Sequence, residues 1–532
     1  MSDSMSPHQE STTFSKGLQA GSVGLIGAVV IGISCIAPTY TLTSGLGPTI
    51  SAVGEHVPAI LILGFIPMLL VAFAYRELNQ AVPDSGTSFT WATKAFGPYV
   101  GWMGGWGLIT ATILVISNLA AVAVDFFYLL LAQVLRNPEI AEWTNNLAIN
   151  IPTTVVFLAI ACWISYRGMD STKNLQYVLV TLQMIAVVVF DVIALRKAYT
   201  GGGFDFTPVQ GSWFNPLSID SFSMMAAGIS LSIFMFWGWD VTLTMNEETK
   251  DPERTPGRAA TLTVLIIISL YVLTAVAIVS WAGTGTTGLG AGNPENQESI
   301  FAALSYPVLG PFAFLIYFAV LASSFASLQS TMVGPARTLL AMGHYQALPP
   351  MFAKISPRYL TPSVATVASA TAAGVFYIIT RLVSENALWD TITALGLMIC
   401  FYYGITAVAC IWYFRDDLIS NTRNIVFRLA FPALGGGFLL LMFGVTAVDS
   451  LDPSYGSGSS ILGVGAVFVL GMGILGLGVA LMLFTRITHP AFFRGETLVR
   501  NTSAQDSQNP LMELEPTKNR AESSHNLPLS TE

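Results

Sequence analysis

Apolar stretches of about 20 residues recur along the chain, separated by short polar or charged turns, and that rhythm predicts membrane-crossing helices. They fall at 23–52, 57–75, 100–135, 151–166, 175–195, a sixth starting at 222, then 260–282, 309–340, 364–380, 389–414, 426–448 and 461–484. The fold class expected is all-α integral membrane, with twelve transmembrane helices. A short surface helix is expected at 88–96. Residues 1–20 and 493–532 are polar and aperiodic, and read as disordered tails.

Two of the stretches are interrupted. The first carries Ser34-Cys35-Ile36-Ala37-Pro38 in its middle. Pro38 removes a backbone donor and its ring clashes with the preceding turn. The sixth runs through Phe234, Phe236 and Trp237 to Gly238, then Trp239 and Asp240, and ends in a dense charged loop from Asn246 to Arg254. A carboxylate at membrane depth costs roughly 2.5–3.5 kcal/mol on insertion scales. Broken helices also expose N–H and C=O groups that hydrocarbon cannot satisfy. Both persist where a solute or ion uses them: helix N-terminal ends favour anions, while carbonyl ends and Asp240 favour cations. A zwitterion or a diamine suits such a place. The same residues also allow a packed glycine kink with a structural acid bonded to a neighbouring helix, with Phe234 as ordinary core and Trp239 facing lipid.

The breaks lie five spans apart, so the two helices enter from opposite sides, which is the sequence pointer to an inverted-repeat transporter. Basic residues fix the orientation. With alternating spans, only Arg136, Arg196, Lys197 and Arg381 fall on one side, and the other 19 of the 23 Lys and Arg fall on the side of both termini. Both termini are therefore expected in the cytoplasm, in a multi-pass protein of the plasma membrane.

Composition excludes the rival classes. The chain is 53% hydrophobic and 10% charged, against roughly 25% charged in soluble domains. Cys35, Cys162, Cys400 and Cys410 all sit in apolar stretches and form no disulfide framework. His8, His56, His344, His489 and His525 have no metal-ligand spacing. No phosphate loop is present. No enzyme activity, metal, cofactor or nucleic-acid partner is expected; the partners are the lipid bilayer and a small-molecule substrate.

Four stretches in order resemble the amino acid–polyamine–organocation (APC) superfamily of permeases: Gly32 to Pro38; Glu77 to Trp106; Gly238-Trp239-Asp240 with Asn246 to Arg254; and Ala336 to Met342 with Leu348-Pro349 and Pro362. The resemblance implies a LeuT-like five-plus-five inverted repeat with discontinuous helices 1 and 6 and two added helices. The repeats would cover about 21–196 and 218–415 within a transport core of 21–415, and the added pair 424–486. It implies a substrate site of Ser34, Cys35, Ile36, Ala37, Phe234, Phe236, Trp237, Gly238, Trp239 and Asp240. Asp240 matches the family's acidic position for amine recognition or proton coupling. Gln183 stands where several members carry a lysine, so lysine-based coupling is absent. Ser323 and Ser324 fall where sodium-coupled relatives of this fold offer hydroxyl ligands, although such serines also back-bond their own carbonyls. Asp125 is a further candidate proton carrier, Asp191 is expected to reach water, and Tyr317, Tyr402 and Tyr403 are candidate gate residues. The function expected is secondary active transport of an amino acid or related organic amine by alternating access, with the proton as coupling ion. A putrescine-like polyamine importer or an amino acid exchanger is the alternative. A non-transporting solute sensor is disfavoured by short, aperiodic tails, and a channel by the bulky aromatics at the breaks.

Overall fold

The computed structural model describes residues 16–501 apart from 298 and 384–386, and leaves out the side chains of 169–172 and 387–389. The expected tails at 1–15 and 502–532 lie outside the described residues.

Ten helical stretches among the described residues are long and apolar enough to cross a membrane. The first, Leu25–Ala81, folds as three helices, α1 (Leu25–Ile36), α2 (Pro38–Val53) and α3 (Val57–Ala81). Then come α4 (Ser88–Phe96), α5 (Pro98–Leu135), α6 (Leu147–Tyr166) and α7 (Met169–Tyr199). The next, α8 (Phe222–Met235), is apolar but shorter than the ten, and is followed by the single turn α9 (Val241–Thr244). After α10 (Thr255–Ala282), two short helices, α11 (Pro294–Gln297) and α12 (Ile300–Leu309), lead into α13 (Phe314–Thr331) and α14 (Val333–His344). The chain closes with α15 (Ser363–Val383), α16 (Ala387–Tyr413), α17 (Thr422–Asn424), α18 (Phe431–Asp449), α19 (Ala466–Thr488) and α20 (Pro490–Phe493). The expected twelve spans count α1–α2 apart from α3 and add α8–α9.

The first break is a single residue. Ala37 takes a left-handed backbone (φ 54°, ψ 63°), and its N–H bonds back to the carbonyls of Ile33 and Ser34 at 3.1 Å each. Pro38 then opens α2 in the first-turn position, where a missing N–H costs nothing. Left-handed backbone is uncommon for a residue with a β-carbon and costs roughly 1–2 kcal/mol. The second break spans 236–240, with Gly238 at φ 112°.

Helix α5 lies against α4, α13, α15 and α16. Its small residues allow this: a β-carbon at Gly101 would lie 1.8 Å from Thr93 Oγ1 of α4, and one at Gly107 would lie 3.0 Å from Tyr402 Cβ of α16. The expected surface helix at 88–96 is α4, but Phe89, Trp91 and Ala92 are buried. Phe89 serves a second core with Trp102 and Phe492, Trp91 the main core, and Ala92 a small cluster with Ala95 and Ala409, instead of a membrane surface. The expected eighth span is two helices, α13 and α14, meeting at Met332.

Both tail boundaries move. Lys16 is buried against Asp84 and Glu247. At the other end Phe493, Leu498 and Asn501 are buried, Arg500 Nε donates to the Ala95 carbonyl at 3.1 Å, and Asn501 N–H donates to the Lys94 carbonyl at 3.0 Å. Composition averaged over a tail misses such residues, because each is fixed by partners distant in the chain.

Candidate functional site

The two breaks meet. A β-carbon built on Gly238 would stand 2.8 Å from the Cys35 carbonyl oxygen and 3.1 Å from Ile36 N. Only glycine allows this approach, and it also supplies the positive φ. The Cys35 carbonyl accepts a hydrogen bond from Ser327 Oγ of α13 at 3.1 Å. Ser34 Oγ donates to Gln176 Oε1 of α7 at 2.6 Å and lies 3.1 Å from Ser330 Oγ. Ile36 and Ala37 are buried beside it, and Thr41 Oγ1 lies 3.0 Å from the Ala37 carbonyl it bonds to.

On the α8 side every expected aromatic is buried. Phe234 meets Tyr40 edge-on at 6.4 Å, and Phe236 packs on Phe65 and Tyr271. Trp239 does not face lipid: it lies 5.1 Å from Tyr75 and 5.0 Å from Tyr403. Trp237 Nε1 donates to Tyr402 Oη at 2.5 Å, and Tyr402 Oη donates to Asp240 Oδ2 at 3.1 Å. Asp240 is 2% exposed and its other oxygen, Oδ1, has no protein partner. The carboxylate thus sits among Tyr75, Tyr402, Tyr403 and Trp239 with one oxygen uncommitted. Such a group accepts a proton or an ammonium, and ring faces nearby favour a cation.

The residues expected to take part in coupling separate into two places. Gln183 Oε1 accepts from Thr39 Oγ1 at 3.2 Å, and Ser323 Oγ accepts from Tyr40 N–H at 3.3 Å. Both therefore converge on consecutive residues at the start of α2, just past the first break. Gln183 Nε2 and the buried Ser324 Oγ have no partner there. Asp240 shares none of these contacts. Among the described residues no three His, Cys, Asp or Glu side chains cluster as a metal site.

Asp191 is a correction. It is fully buried and accepts a hydrogen bond from Thr274 Oγ1 of α10 at 2.8 Å. Its place near the end of α7 suggested water, but α10 covers that face. Tyr402 and Tyr403 join the site, whereas Tyr317 packs on Phe126. Tyr75, Thr39 and Tyr40 were not legible as site residues; no local pattern marks them, since their partners lie on other helices.

One end of the bundle is closed by ion pairs. Arg337 of α14 holds Glu248 through two 2.9 Å hydrogen bonds, with both side chains buried. Lys16 Nζ lies 2.7 Å from Asp84 and 2.6 Å from Glu247, and Tyr345 Oη donates to Asp84 at 2.7 Å. Burial opposes both charges of the Lys16–Asp84 pair, but their mutual attraction outweighs it. The Asp84 carboxyl is held well below the usual carboxylate range and the Lys16 ammonium above its ordinary value. At the opposite end a cavity of about 800 Å3 opens beside α5 and α15.

Known proteins share this architecture. The family model described as amino acid permease matches residues 27–481. The chain is 24% identical over 459 residues to the branched-chain amino acid permease BcaP of Lactococcus lactis subsp. cremoris, covering 83% of this chain and 93% of that protein. It is 23% identical over 468 residues to the low-affinity putrescine importer PlaP of Escherichia coli K12, covering 87% and 94% respectively. Among solved structures, MhsT in complex with L-phenylalanine matches with a TM-score of 0.57 and 15% identity, over 80% of this chain and 99% of that one. That likeness carries the fold, the LeuT-like arrangement with helices broken at Ala37 and Gly238. The chain belongs to the amino acid permease family and is a secondary transporter of a small molecule.

Proposed function

We propose that the chain carries an amino acid or a related organic amine across the plasma membrane by alternating access, coupled to protons. The reading takes both termini as cytoplasmic. It counts twelve spans, as two repeats at about 21–196 and 218–415 and two further helices at 424–486. The observation that carries it is the junction at Gly238 and Cys35, with the unpartnered Oδ1 of Asp240 beside it. A charged cargo needs backbone groups for one charge and a counter-ion for the other. Residues 34–37 offer the first, and Asp240 the second. Phe234, Phe236, Trp237 and Trp239 form the apolar wall. The names of the relatives, one a branched-chain amino acid permease and one a putrescine importer, support this class of cargo. The ring of tyrosines around Asp240 favours an amine-rich cargo, such as a diamine, as the second reading.

Alternating access needs one end shut while the other is open. In this reading the buried ion pairs of Arg337 and Lys16 mark the shut end, and the far end, where the cavity lies beside α5 and α15, is the one that opens. Gln183 has no titratable charge, so this reading gives the proton to Asp240, the acid beside the second break, with Asp125 as the further candidate. Ser323 Oγ accepts from α2 and Ser324 Oγ has no protein partner; this reading assigns neither to sodium.

The test is uptake of radiolabelled L-leucine and putrescine into proteoliposomes, with choline replacing sodium, with and without an imposed pH gradient. Accumulation that follows the proton gradient and ignores sodium is expected. Strict sodium dependence would transfer the coupling role to Ser323 and Ser324. Absence of uptake of either solute under every gradient would remove the cargo assignment.

A further inference from the structure

Apart from the junction and the ion pairs that close the bundle, a cluster of arginines stands at the end of α3. Glu77, fully buried, is shared by three of them. Arg423 holds it from Nη2 to Oε1 at 2.6 Å and from Nη1 to Oε2 at 3.0 Å. Arg428 Nε donates to Oε2 at 3.2 Å, and Arg76 Nη2 lies 3.6 Å from Oε1. Arg428 Nη1 also holds Asp417 at 2.7 Å. Arg258, exposed near the start of α10, enters none of the ion pairs among the described residues and is close enough to Arg76 to repel it. Four guanidiniums thus share two carboxylates, which leaves two positive charges unmatched.

Aromatic rings hold Arg76 in place. Its Cζ lies 4.9 Å from the centre of the Phe73 ring and 5.1 Å from that of Phe427, contacts that favour a cation over a ring face. Stacking occupies the faces of the guanidinium and leaves its edge. The buried Arg76 Nε has no hydrogen-bond partner, an unmade bond that an incoming acceptor would complete. Phe427 and Arg428 stand in a π-helical turn, Ile425–Ala430, a rare form found frequently at functional sites.

Behind the cluster, the same face of α3 is apolar. Ile62, Ile66, Leu69 and Phe73 recur at helical spacing before Arg76. None of the four is buried, although α10 and α18 both pack on this helix. From Ile62 to Phe73 the stripe runs about 16 Å, half of the roughly 30 Å hydrocarbon core of a bilayer. It is an apolar track one leaflet deep that ends in surplus positive charge.

We propose that this face binds an anionic phospholipid, its phosphate against Arg76 and Arg258 and an acyl chain along Ile62 to Phe73. A zwitterionic phospholipid brings the same chain with a cation in its headgroup, which the unmatched arginines repel. A free phosphate brings the charge without the chain. Only a lipid of net negative charge answers both parts of the site. Basic pockets between membrane helices bind such headgroups elsewhere. Binding here does not depend on the solute that the junction at Gly238 carries.

The experiment is native mass spectrometry of the full chain, released from micelles that hold phosphatidylglycerol and phosphatidylcholine in equal amounts. An arginine near the membrane surface gives about a fivefold preference for an anionic lipid. Two unmatched arginines therefore predict about thirtyfold retention of phosphatidylglycerol over phosphatidylcholine. Arg258→Gln, which breaks no ion pair, should lower that ratio about fivefold, and Arg76→Gln/Arg258→Gln should remove it. Arg494→Gln, whose guanidinium pairs with Glu496, should leave it unchanged. Glycerophosphoglycerol, the headgroup without chains, should not displace the bound lipid when added in excess. Equal retention of the two lipids by the wild type overturns the proposal, as does a ratio unaltered by Arg258→Gln. Displacement by glycerophosphoglycerol also overturns it and shows a site for free phosphate esters. Melting temperatures in phosphatidylcholine micelles check the fold. Arg258→Gln should match the wild type there, so a poorly folded Arg76 variant does not shield the idea.

Discussion

Arg337 and Glu248 form a fork-to-fork pair, Nε to Oε2 and Nη2 to Oε1, both at 2.9 Å and both buried. Glu248 belongs to the charged loop just beyond the second break, and Arg337 to α14. The pair therefore ties the loop beyond the second break to α14. Buried pairs of this kind are costly to break from one side, on the order of 3–5 kcal/mol, and close to neutral to replace from both. Glu248→Gln and Arg337→Met are each expected to lower the thermal midpoint sharply, while Arg337→Met/Glu248→Leu recovers most of the loss. Double-variant stability no better than either single would show that the pair is not the source of the effect. Transport should stay impaired in the double variant, because a gate without charges has lost the attraction that re-forms it each cycle.

Gly238 is the next test. A β-carbon there meets the Cys35 carbonyl at 2.8 Å and sits on a backbone of φ 112°. Strain of this kind costs of order 1–3 kcal/mol. Gly238→Ala should therefore lower stability by that amount and abolish most uptake, by pushing the two breaks apart. Gly444→Ala, where nothing lies within 4 Å, is the control. It should be neutral or slightly stabilising, since alanine is the better helix former. Equal behaviour of the two variants would remove the close approach as a functional feature.

Several of these elements are legible in the sequence alone. The break at Pro38 and the one at Gly238 are, because proline and glycine act through their own backbone. So is the burial of Cys35 and Trp237. Gln183 and Ser323 were picked out, but their shared target at Thr39 and Tyr40 was not. Hydrogen-bond partners more than a hundred residues away leave no local pattern. The same reason hid Lys16, which reads as one basic residue in a polar tail and is in fact gripped by Asp84 and Glu247. It also hid Tyr75, whose place beside Trp239 depends on how α3 meets the second break.

The closing cluster around Lys16 should be insensitive to pH in the physiological range. Asp84 is depressed below its unfolded value, about 3.9, so its contribution is complete above that pH and is lost as pH falls through the lower folded value. Lys16 is raised above its unfolded value, about 10.4, so its contribution is complete below that pH and is lost only as pH rises past the higher folded value. The stability difference between wild type and Lys16→Gln should be flat between about pH 5 and 9. It should shrink only outside that window. A difference that changes steeply near neutrality would mean that another titrating group controls the cluster.

Asp240 bears the greatest weight. Its Oδ2 is held by Tyr402, which is held in turn by Trp237, while Oδ1 is free. Asp240→Asn keeps the size and the contact to Tyr402 but removes the charge. The variant should fold and reach the membrane with a near-normal melting temperature, and lose most gradient-driven accumulation. The two roles open to the carboxylate then separate by binding. Direct contact with a cargo ammonium predicts a loss of affinity of about 1.5–3 kcal/mol, the worth of a charge-assisted hydrogen bond. A pure proton-carrying role predicts normal affinity, normal exchange of internal for external solute, and no accumulation against a gradient. Tyr402→Phe distinguishes further. It frees Oδ2 and Trp237 together without touching the charge, so it should weaken transport less than Asp240→Asn and shift its pH profile. Full accumulation by a well-folded Asp240→Asn protein would remove both roles at once. The acid would then be a structural partner of Tyr402, and the cargo's positive charge would have to be met by the backbone at 34–37.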